Sequence, residues 1–167
     1  HRREVVEVTA PALPEDRPRY LMGVGYTQDI LHAVLAGVDL FDCVLPARNA
    51  RHGHLFTRRG VIRIKGSQYR DDPRPIEEGC RCPACTRGNR ALVCHLMRSG
   101  DLTGAVLATL HNLTHYLDFM GDLRQAIKLG HLTDLAAELA SPNPAPEDAR
   151  PESLRVRGDC GSASRHG

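Results

Sequence analysis

Cys80, Cys82 and Cys85 stand together in the run Cys80-Arg81-Cys82-Pro83-Ala84-Cys85, and His111 follows beyond two apolar, helix-like stretches. Thiolate and imidazole are the ligands zinc prefers, and three of one with one of the other close a tetrahedral shell that leaves no position for a substrate. Cys80, Cys82, Cys85 and His111 therefore read as one structural Zn2+ site, a clip rather than a reaction centre. His95 and His115 are close enough in sequence to compete for the fourth place. His111 is preferred because it starts a long amphipathic stretch, which a metal bond would fix to the cysteine loop. The remaining thiols read differently: Cys43 as a buried strand residue, Cys94 as helix core, Cys160 as part of the tail.

Asp42 is the second residue with chemical potential. It lies near the carboxyl end of the apolar run Leu40-Phe41-Asp42-Cys43-Val44-Leu45. A carboxylate there is costly to bury without a partner, and in α/β barrels the carboxyl ends of strands carry the catalytic groups. A buried structural Asp that caps a neighbouring loop is the competing reading, and the residues alone do not separate the two. Asp39 points to the opposite face of an ideal strand and suits a cap at the strand's start. Met22-Gly23-Val24-Gly25 lacks the third glycine of a dinucleotide fingerprint. It fits either a close backbone approach to a flat ligand or a tight turn.

The 167-residue chain carries a formal charge of +2, which predicts no partner by itself. Its distribution says more. No acidic residue falls between Cys43 and Arg70, where Arg48, Arg51, Arg58, Arg59, Arg63, Lys65 and Arg70 cluster with His52 and His54. Such a stretch is the footprint of a polyanion-binding surface, or else a solvated hairpin face. The cysteine usage favours metal over a disulfide framework, and no secretory signal is evident. No apolar run approaches the roughly 18 residues of a membrane span. These features suggest a soluble, cytoplasmic protein without a membrane partner. A start at His1 suggests a piece of something longer.

Positioning elements follow from periodicity. Residues 1–18 read as a polar, proline-bearing loop. Tyr20–Gly25 reads as a strand and glycine turn. Thr27 suits an N-cap for a helix built on Ile30, Leu31, Val34 and Leu35, and Val38–Leu45 reads as a second strand stopped by Pro46. Strand, helix and strand make a βαβ unit with a parallel pair. Residues 54–58 and 61–65 read as a hairpin turning at Arg59-Gly60. Helices are expected over 89–98 and 101–110. From Asn112 the positions Leu113, Tyr116, Leu117, Met120, Leu123 and Ile127 predict one apolar face of a further helix, which Gly130 ends. A short helix over 132–139 and a disordered tail after Ser141 complete the expectation.

Four motifs together resemble a known family. Arg19-Tyr20-Leu21-Met22-Gly23-Val24-Gly25, Phe41-Asp42-Cys43-Val44-Leu45-Pro46, Arg48-Asn49-Ala50-Arg51-His52-Gly53 and the Cys80/Cys82/Cys85/His111 set are similar in order and spacing to bacterial-type tRNA-guanine transglycosylases, the queuine tRNA-ribosyltransferase family. The resemblance covers roughly residues 13–139. It implies an α/β fold, the C-terminal part of a TIM (β/α)8 barrel with an inserted zinc-binding subdomain. Residues 1–46 would be the last two βα units, 47–111 the basic hairpin and zinc-binding subdomain, 112–140 the C-terminal helices and 141–167 the tail.

The resemblance further implies exchange of guanine at the wobble position of a tRNA for a 7-deazaguanine, on the way to queuosine. Asp42 matches the nucleophile, which forms a covalent aspartyl-ribose intermediate that the incoming base displaces. Gly23, Val24, Gly25, Tyr26, Thr27, Gln28 and Asp29 match one RNA-contacting segment. Ala47, Arg48, Asn49, Ala50 and Arg51 match another, and Met22 and Gly23 lie near the base. Partners implied are the tRNA anticodon stem-loop, 7-aminomethyl-7-deazaguanine and, for the full-length enzyme, a second copy. Tyr26 departs from the lysine of many bacterial members, and Leu92-Val93-Cys94 departs from an aromatic-containing helix. The general-base aspartate of the family has no counterpart in this chain, nor do six of the eight βα units. The alternatives are a non-catalytic zinc-stabilised RNA-binding fragment and a subunit that needs a complementing barrel half.

Overall fold

The computed structural model describes residues 2–140. The tail after Ser141 and Cys160 lie outside the described residues. The chain opens with a helix rather than a loop: α1 (Arg2–Thr9) runs into a 3-10 turn at Ala10–Ala12. The prolines expected to break this segment begin only at Pro11, and the residues before it contain no breaker. Pairing fixes the helix in place. Arg3 meets Asp29 at 3.0 Å and Glu7 meets His32 at 3.1 Å, while Ala10 is buried with Ala33 and Val38.

The expected βαβ unit is present. β1 (Tyr20–Met22) and β2 (Leu40–Asp42) pair in parallel, with α2 (Thr27–Leu35) between them. Tyr26, not Thr27, occupies the N-cap position, and no side chain caps the helix. The register sets Tyr20 beside Leu40, Leu21 beside Phe41 and Met22 beside Asp42. Side chains alternate across a strand. Leu21 and Phe41 therefore pack against Val24, Ile30 and Leu31, while Tyr20, Met22, Leu40 and Asp42 share the exposed face.

β2 is shorter than the expected Val38–Leu45. Pro46 does not merely stop it but sits in the first turn of α3 (Leu45–Arg51), where a fixed φ and a missing N–H suit a helix start. β3 (His54–Thr57) and β4 (Gly60–Arg63) form the antiparallel hairpin. Its turn residues are Arg58 and Arg59, and Gly60 follows with a φ of 125°, a value few other residues tolerate.

Three helices follow: α4 (Pro83–Thr86), α5 (Arg90–Ser99) and α6 (Leu102–Leu129). Asn89 and Asp101 cap the last two by accepting from Leu92 N and Thr103 N, each at 2.8 Å. α5 and α6 cross closely at Gly104, where an added Cβ would lie 2.8 Å from Met97 N. The two helices expected over 101–110 and from 112 are one. Nothing between them breaks a helix, and His111 and Asn112 at the junction are both wholly buried.

The pattern looked divided because α6 serves two cores with different faces. Ala105 and Ala108 join Leu55, Ile64, Tyr69, Ile76 and Val93, whereas Tyr116 and Leu123 join Val24, Ile30, Leu31 and Phe56. The single apolar face predicted from Asn112 is accordingly split: Tyr116 and Leu123 are buried, but Leu113, Leu117 and Ile127 are exposed. α6 ends at Gly130, and α7 (Leu132–Ala140) packs back on α6 and α2. Among the described residues no helix is long and apolar enough to cross a membrane. The sheets are this parallel pair and this hairpin, so the architecture seen is mixed α/β, with no closed barrel among the described residues.

Candidate metal centre and strand-end carboxylate

Cys80 sits in the loop before α4, Cys82 at its N-cap and Cys85 within it. The α4 turn folds Cys85 and Thr86 back over Cys82, whose carbonyl accepts from both backbone amides at 3.1 and 3.0 Å. α6 supplies His111 from its middle, not from a helix start as the sequence suggested. The three Sγ atoms and the imidazole nitrogen all lie within 4.8 Å of one another. His111 Nδ1 stands 3.7 Å from Cys80 Sγ and 3.5 Å from both Cys82 Sγ and Cys85 Sγ. Zn–S bonds of about 2.3 Å and a Zn–N bond of about 2.0 Å in a tetrahedron require N···S separations of roughly 3.5 Å. Donor chemistry and spacing both fit a Zn2+ ion.

The other imidazole nitrogen, Nε2, donates to Phe56 O at 2.8 Å, which selects the ring orientation that turns Nδ1 toward the sulfurs. The rival histidines are elsewhere. His95 is exposed on α5. His115 stacks on Phe56 with 6.4 Å between ring centroids and lies 3.8 Å from Glu77 Oε2. Burial works against the charge of Glu77, yet the hydrogen bonds from His115 and from Arg58 N (2.6 Å) hold its carboxyl below the usual range.

Protons are shared unevenly within the cluster. A hydrogen bond from Cys85, helped by His111, brings the Cys82 thiol down to about 4, and the same bond pushes Cys85 up. Burial disfavours the charged imidazole of His111, but its bonds to Cys80 and Cys82 outweigh that and raise it to about 9. A cation would replace those protons.

Asp42 ends β2 on the exposed face. Its Oδ1 accepts from Tyr20 OH at 2.8 Å and from Gly23 N at 3.2 Å. Met22 lies directly across the strand pair and is 72% exposed. Asp42, Met22 and Gly23 are thus brought together, and Asp42 is not the buried residue its strand context suggested. Asp39 caps the strand's start, accepting from Arg19 N at 2.8 Å. Sequence reasoning missed Tyr20. Its signal was parity: Tyr20 and Met22 share a strand face, so a parallel register that sets Met22 beside Asp42 also brings the Tyr20 phenol within reach.

Both segments matched to RNA contacts border the carboxylate. Gly23–Asp29 leads from β1 into α2, with Tyr26 and Gln28 exposed and Thr27 half-buried. Its Val24 and Gly25 are buried, and a Cβ on Gly25 would collide with the side chain of Cys43. Asp29 is engaged by Arg3. On α3, Arg48 and Arg51 are exposed, Ala47 and Asn49 are half-buried, and Ala50 is wholly buried and offers no side-chain surface. Within the basic stretch, Arg58 pairs with Asp122 at 3.2 Å, whereas Arg63 and Lys65 lie on the outward side of the hairpin.

Fold and site define a mixed α/β chain with a Cys3His cluster able to hold a metal ion and a strand-end carboxylate beside exposed arginines. Comparison with known proteins agrees. The family model for queuine tRNA-ribosyltransferase matches residues 1–145, and the chain belongs to that family. The queuine tRNA-ribosyltransferase of Nitrosospira multiformis is 52% identical over 134 residues, 80% of this chain and 36% of that protein. Its counterpart from Thiobacillus denitrificans is 54% identical over 129 residues, covering 77% of this chain and 35% of the relative. That of Nitrosomonas europaea is 48% identical over 138 residues, covering 83% and 37%. The chain therefore spans about a third of the length of the curated relatives it matches.

Proposed function

We propose that this chain is the C-terminal part of a (β/α)8-barrel tRNA-guanine transglycosylase, and that it carries the nucleophile for base exchange at the wobble position. The observation that supports this most directly is Asp42 at the carboxyl end of a parallel strand, exposed, with Oδ1 held by Tyr20 and Gly23 N. The neighbouring face of Tyr20, Met22 and Leu40 is apolar and at least half exposed, as expected of strands that more barrel would cover.

In the first step an Asp42 oxygen attacks C1′ of the ribose. The bond from C1′ to guanine breaks, and guanine leaves with the electron pair, taking up a proton. In the second step the ring nitrogen of the incoming 7-deazaguanine attacks C1′ from the opposite face, loses its proton and expels the carboxylate. Two inversions restore the starting configuration. The target nucleotide must leave its stack to reach Asp42. Arg48 and Arg51 would hold the anticodon stem-loop through phosphates, with Gly23–Asp29 on its other side and Met22 and Gly23 against the base. Cys80, Cys82, Cys85 and His111 would hold a Zn2+ that supplies structure only. The full-length protein would work in the cytoplasm, as a homodimer, with the general base and the incoming-base pocket on its remaining two thirds.

Covalent capture tests the reading. The chain, supplied with the rest of the barrel and an anticodon stem-loop, should form an adduct that survives denaturation, and Asp42→Asn should abolish it. RNA binding without any adduct in the wild type would favour a zinc-stabilised binding fragment instead.

A further inference from the structure

His111, Asn112 and Tyr116 occupy one turn and a half of α6, and each reaches a different part of the chain. His111 faces the three sulfurs with Nδ1 and donates to Phe56 O with Nε2 at 2.8 Å. Asn112 is wholly buried, and its amide is used on both sides. Nδ2 donates to Pro46 O and to His54 O, each at 3.0 Å, and Oδ1 accepts from Phe56 N at 2.9 Å. Only this orientation of the amide satisfies all three backbone groups. One turn on, the Tyr116 hydroxyl donates to Gly25 O. Its ring packs edge-on against Phe56 with 5.4 Å between centroids.

These bonds tie α6 to three places remote from it in sequence. Pro46 lies in the first turn of α3, which carries Arg48 and Arg51. His54 and Phe56 belong to β3. Gly25 lies in the segment that leads from β1 into α2. Phe56 has its N–H taken by Asn112 and its C=O by the imidazole of His111, so a movement of the metal-binding side chain is felt by the strand that Asn112 also grips. Backbone groups buried this deeply have no water to turn to, and losing the partner costs their full desolvation.

We propose that Asn112 and Tyr116 are positioning residues that tie the metal clip to both RNA-facing segments, so that occupation of the Cys80/Cys82/Cys85/His111 site sets the order of residues 23–30 and 46–56 and, through them, the affinity for RNA. The last clause rests on the proposed function, whereas the ordering of the two segments does not. By linkage the coupling runs both ways: an anticodon stem-loop raises zinc affinity by the factor with which zinc raises RNA affinity.

Tyr116→Phe is the sharper variant, because it keeps the ring packing and removes a single hydroxyl. Amide hydrogen exchange is read on the full chain with and without a zinc chelator. The amides of Asp29 and Ile30, which bond to Tyr26 O, report on the first segment. In the wild type, zinc removal should speed their exchange by roughly tenfold or more. In zinc-loaded Tyr116→Phe they should exchange fast already and ignore the chelator, while residues 54–57 still respond. Asn112→Ala should loosen residues 46–56 and blunt their zinc response, while Asp29 and Ile30 still respond. Leu123→Ala is the control: it loosens the core that Tyr116 shares, and it should lower the melting temperature yet leave the zinc response of Asp29 and Ile30 intact.

With a stem-loop probe, Tyr116→Phe should bind about fivefold more weakly at full zinc content, the worth of one neutral hydrogen bond. A wild type whose residues 23–30 ignore the chelator overturns the proposal. So does a folded Tyr116→Phe in which they respond as before. A wild type that binds no stem-loop would sink the RNA reading, and the exchange experiment would still decide the coupling.

Discussion

Tyr20 and Asp42 meet diagonally across the parallel strand pair, phenol to Oδ1 at 2.8 Å. The carboxylate's hydrogen bond and charge raise the Tyr20 pKa, so the hydroxyl keeps its proton and remains a donor across the physiological range. Gly23 N approaches the same oxygen at 3.2 Å. Both bonds fall on Oδ1, which leaves Oδ2 as the oxygen that would attack in the proposed reaction. Tyr20→Phe should therefore keep the covalent adduct but slow its formation by roughly threefold to tenfold, the scale of one positioning hydrogen bond. Asp42→Asn should form none. Single-turnover capture on the complemented enzyme distinguishes the two, and equal rates for Tyr20→Phe and the wild type would remove Tyr20 from the site.

The metal clip should stabilise the chain outright. Cys82 is both a member of the candidate metal cluster and 2% exposed in the main core, so Cys82→Ser should release zinc and loosen residues 75–115 together. Zinc content by atomic absorption, alongside thermal melting, checks this. Affinity should also depend on pH in a fixed direction. His111, raised to about 9, and Cys85, pushed up by Cys82, hold protons at neutral pH that the cation must displace. Apparent zinc affinity should therefore climb as pH rises from about 5 toward 9, and less steeply above that, where His111 has lost its proton but Cys85 has not. A flat profile over that range would place the metal elsewhere.

The segment from Asp72 to Ile76 is pinned to α5 by Arg90. This guanidinium is 4% exposed and donates to Pro75 O at 2.9 Å, Ile76 O at 3.1 Å and Asp72 Oδ2 at 3.2 Å. Arg74 closes on the same carboxylate at 2.7 Å. Arg90→Met should cost about 3 kcal/mol, because it strands two carbonyls and half-uncovers a buried carboxylate. The hydrogen bond from Arg74 is the main reason Asp72 titrates at about 2 rather than near 4. A depressed pKa gives stability that is complete above the unfolded value and lost as pH falls through the folded one. Acid titration of the zinc-free chain should show this loss between about pH 4 and pH 2, and Asp72→Asn should remove that part of the slope.

What could be read from the sequence follows its range of interaction. The convergence of Cys80, Cys82, Cys85 and His111 was legible because three of them share one short loop, and the βαβ unit because its apolar periods are local. α1 was hidden because its stability comes from ion pairs to α2, Arg3 with Asp29 and Glu7 with His32, which no window of sequence contains. The continuity of α6 was hidden because its buried face changes from Ala108 to Tyr116 as it passes from one core to the other. Asn112 gave no signal at all. A polar residue in a helix pattern looks solvent-facing, and only the convergence of Pro46, His54 and Phe56 shows it to be a buried junction.

Arg48 and Arg51 project from α3 one turn apart, both exposed, and neither has a carboxylate partner among the described residues. Arg58, by contrast, is held by Asp122. Charge left unpaired on a helix whose other side is anchored by the buried Ala50 and Pro46 is available to an external anion. If that anion is the phosphate of an anticodon stem-loop, each arginine displaces a condensed counterion. Arg48→Ala and Arg51→Ala should then each flatten the slope of log Kd against log salt by about 0.7 to 0.9, and the double variant by about twice that. Arg58→Ala should change the slope less, since its charge is already compensated by Asp122. Fluorescence anisotropy with a labelled stem-loop over a range of salt measures all four. Unaltered slopes in the α3 variants would mean that those guanidinium groups do not meet phosphate, and that the basic stretch between Cys43 and Arg70 is a solvated face.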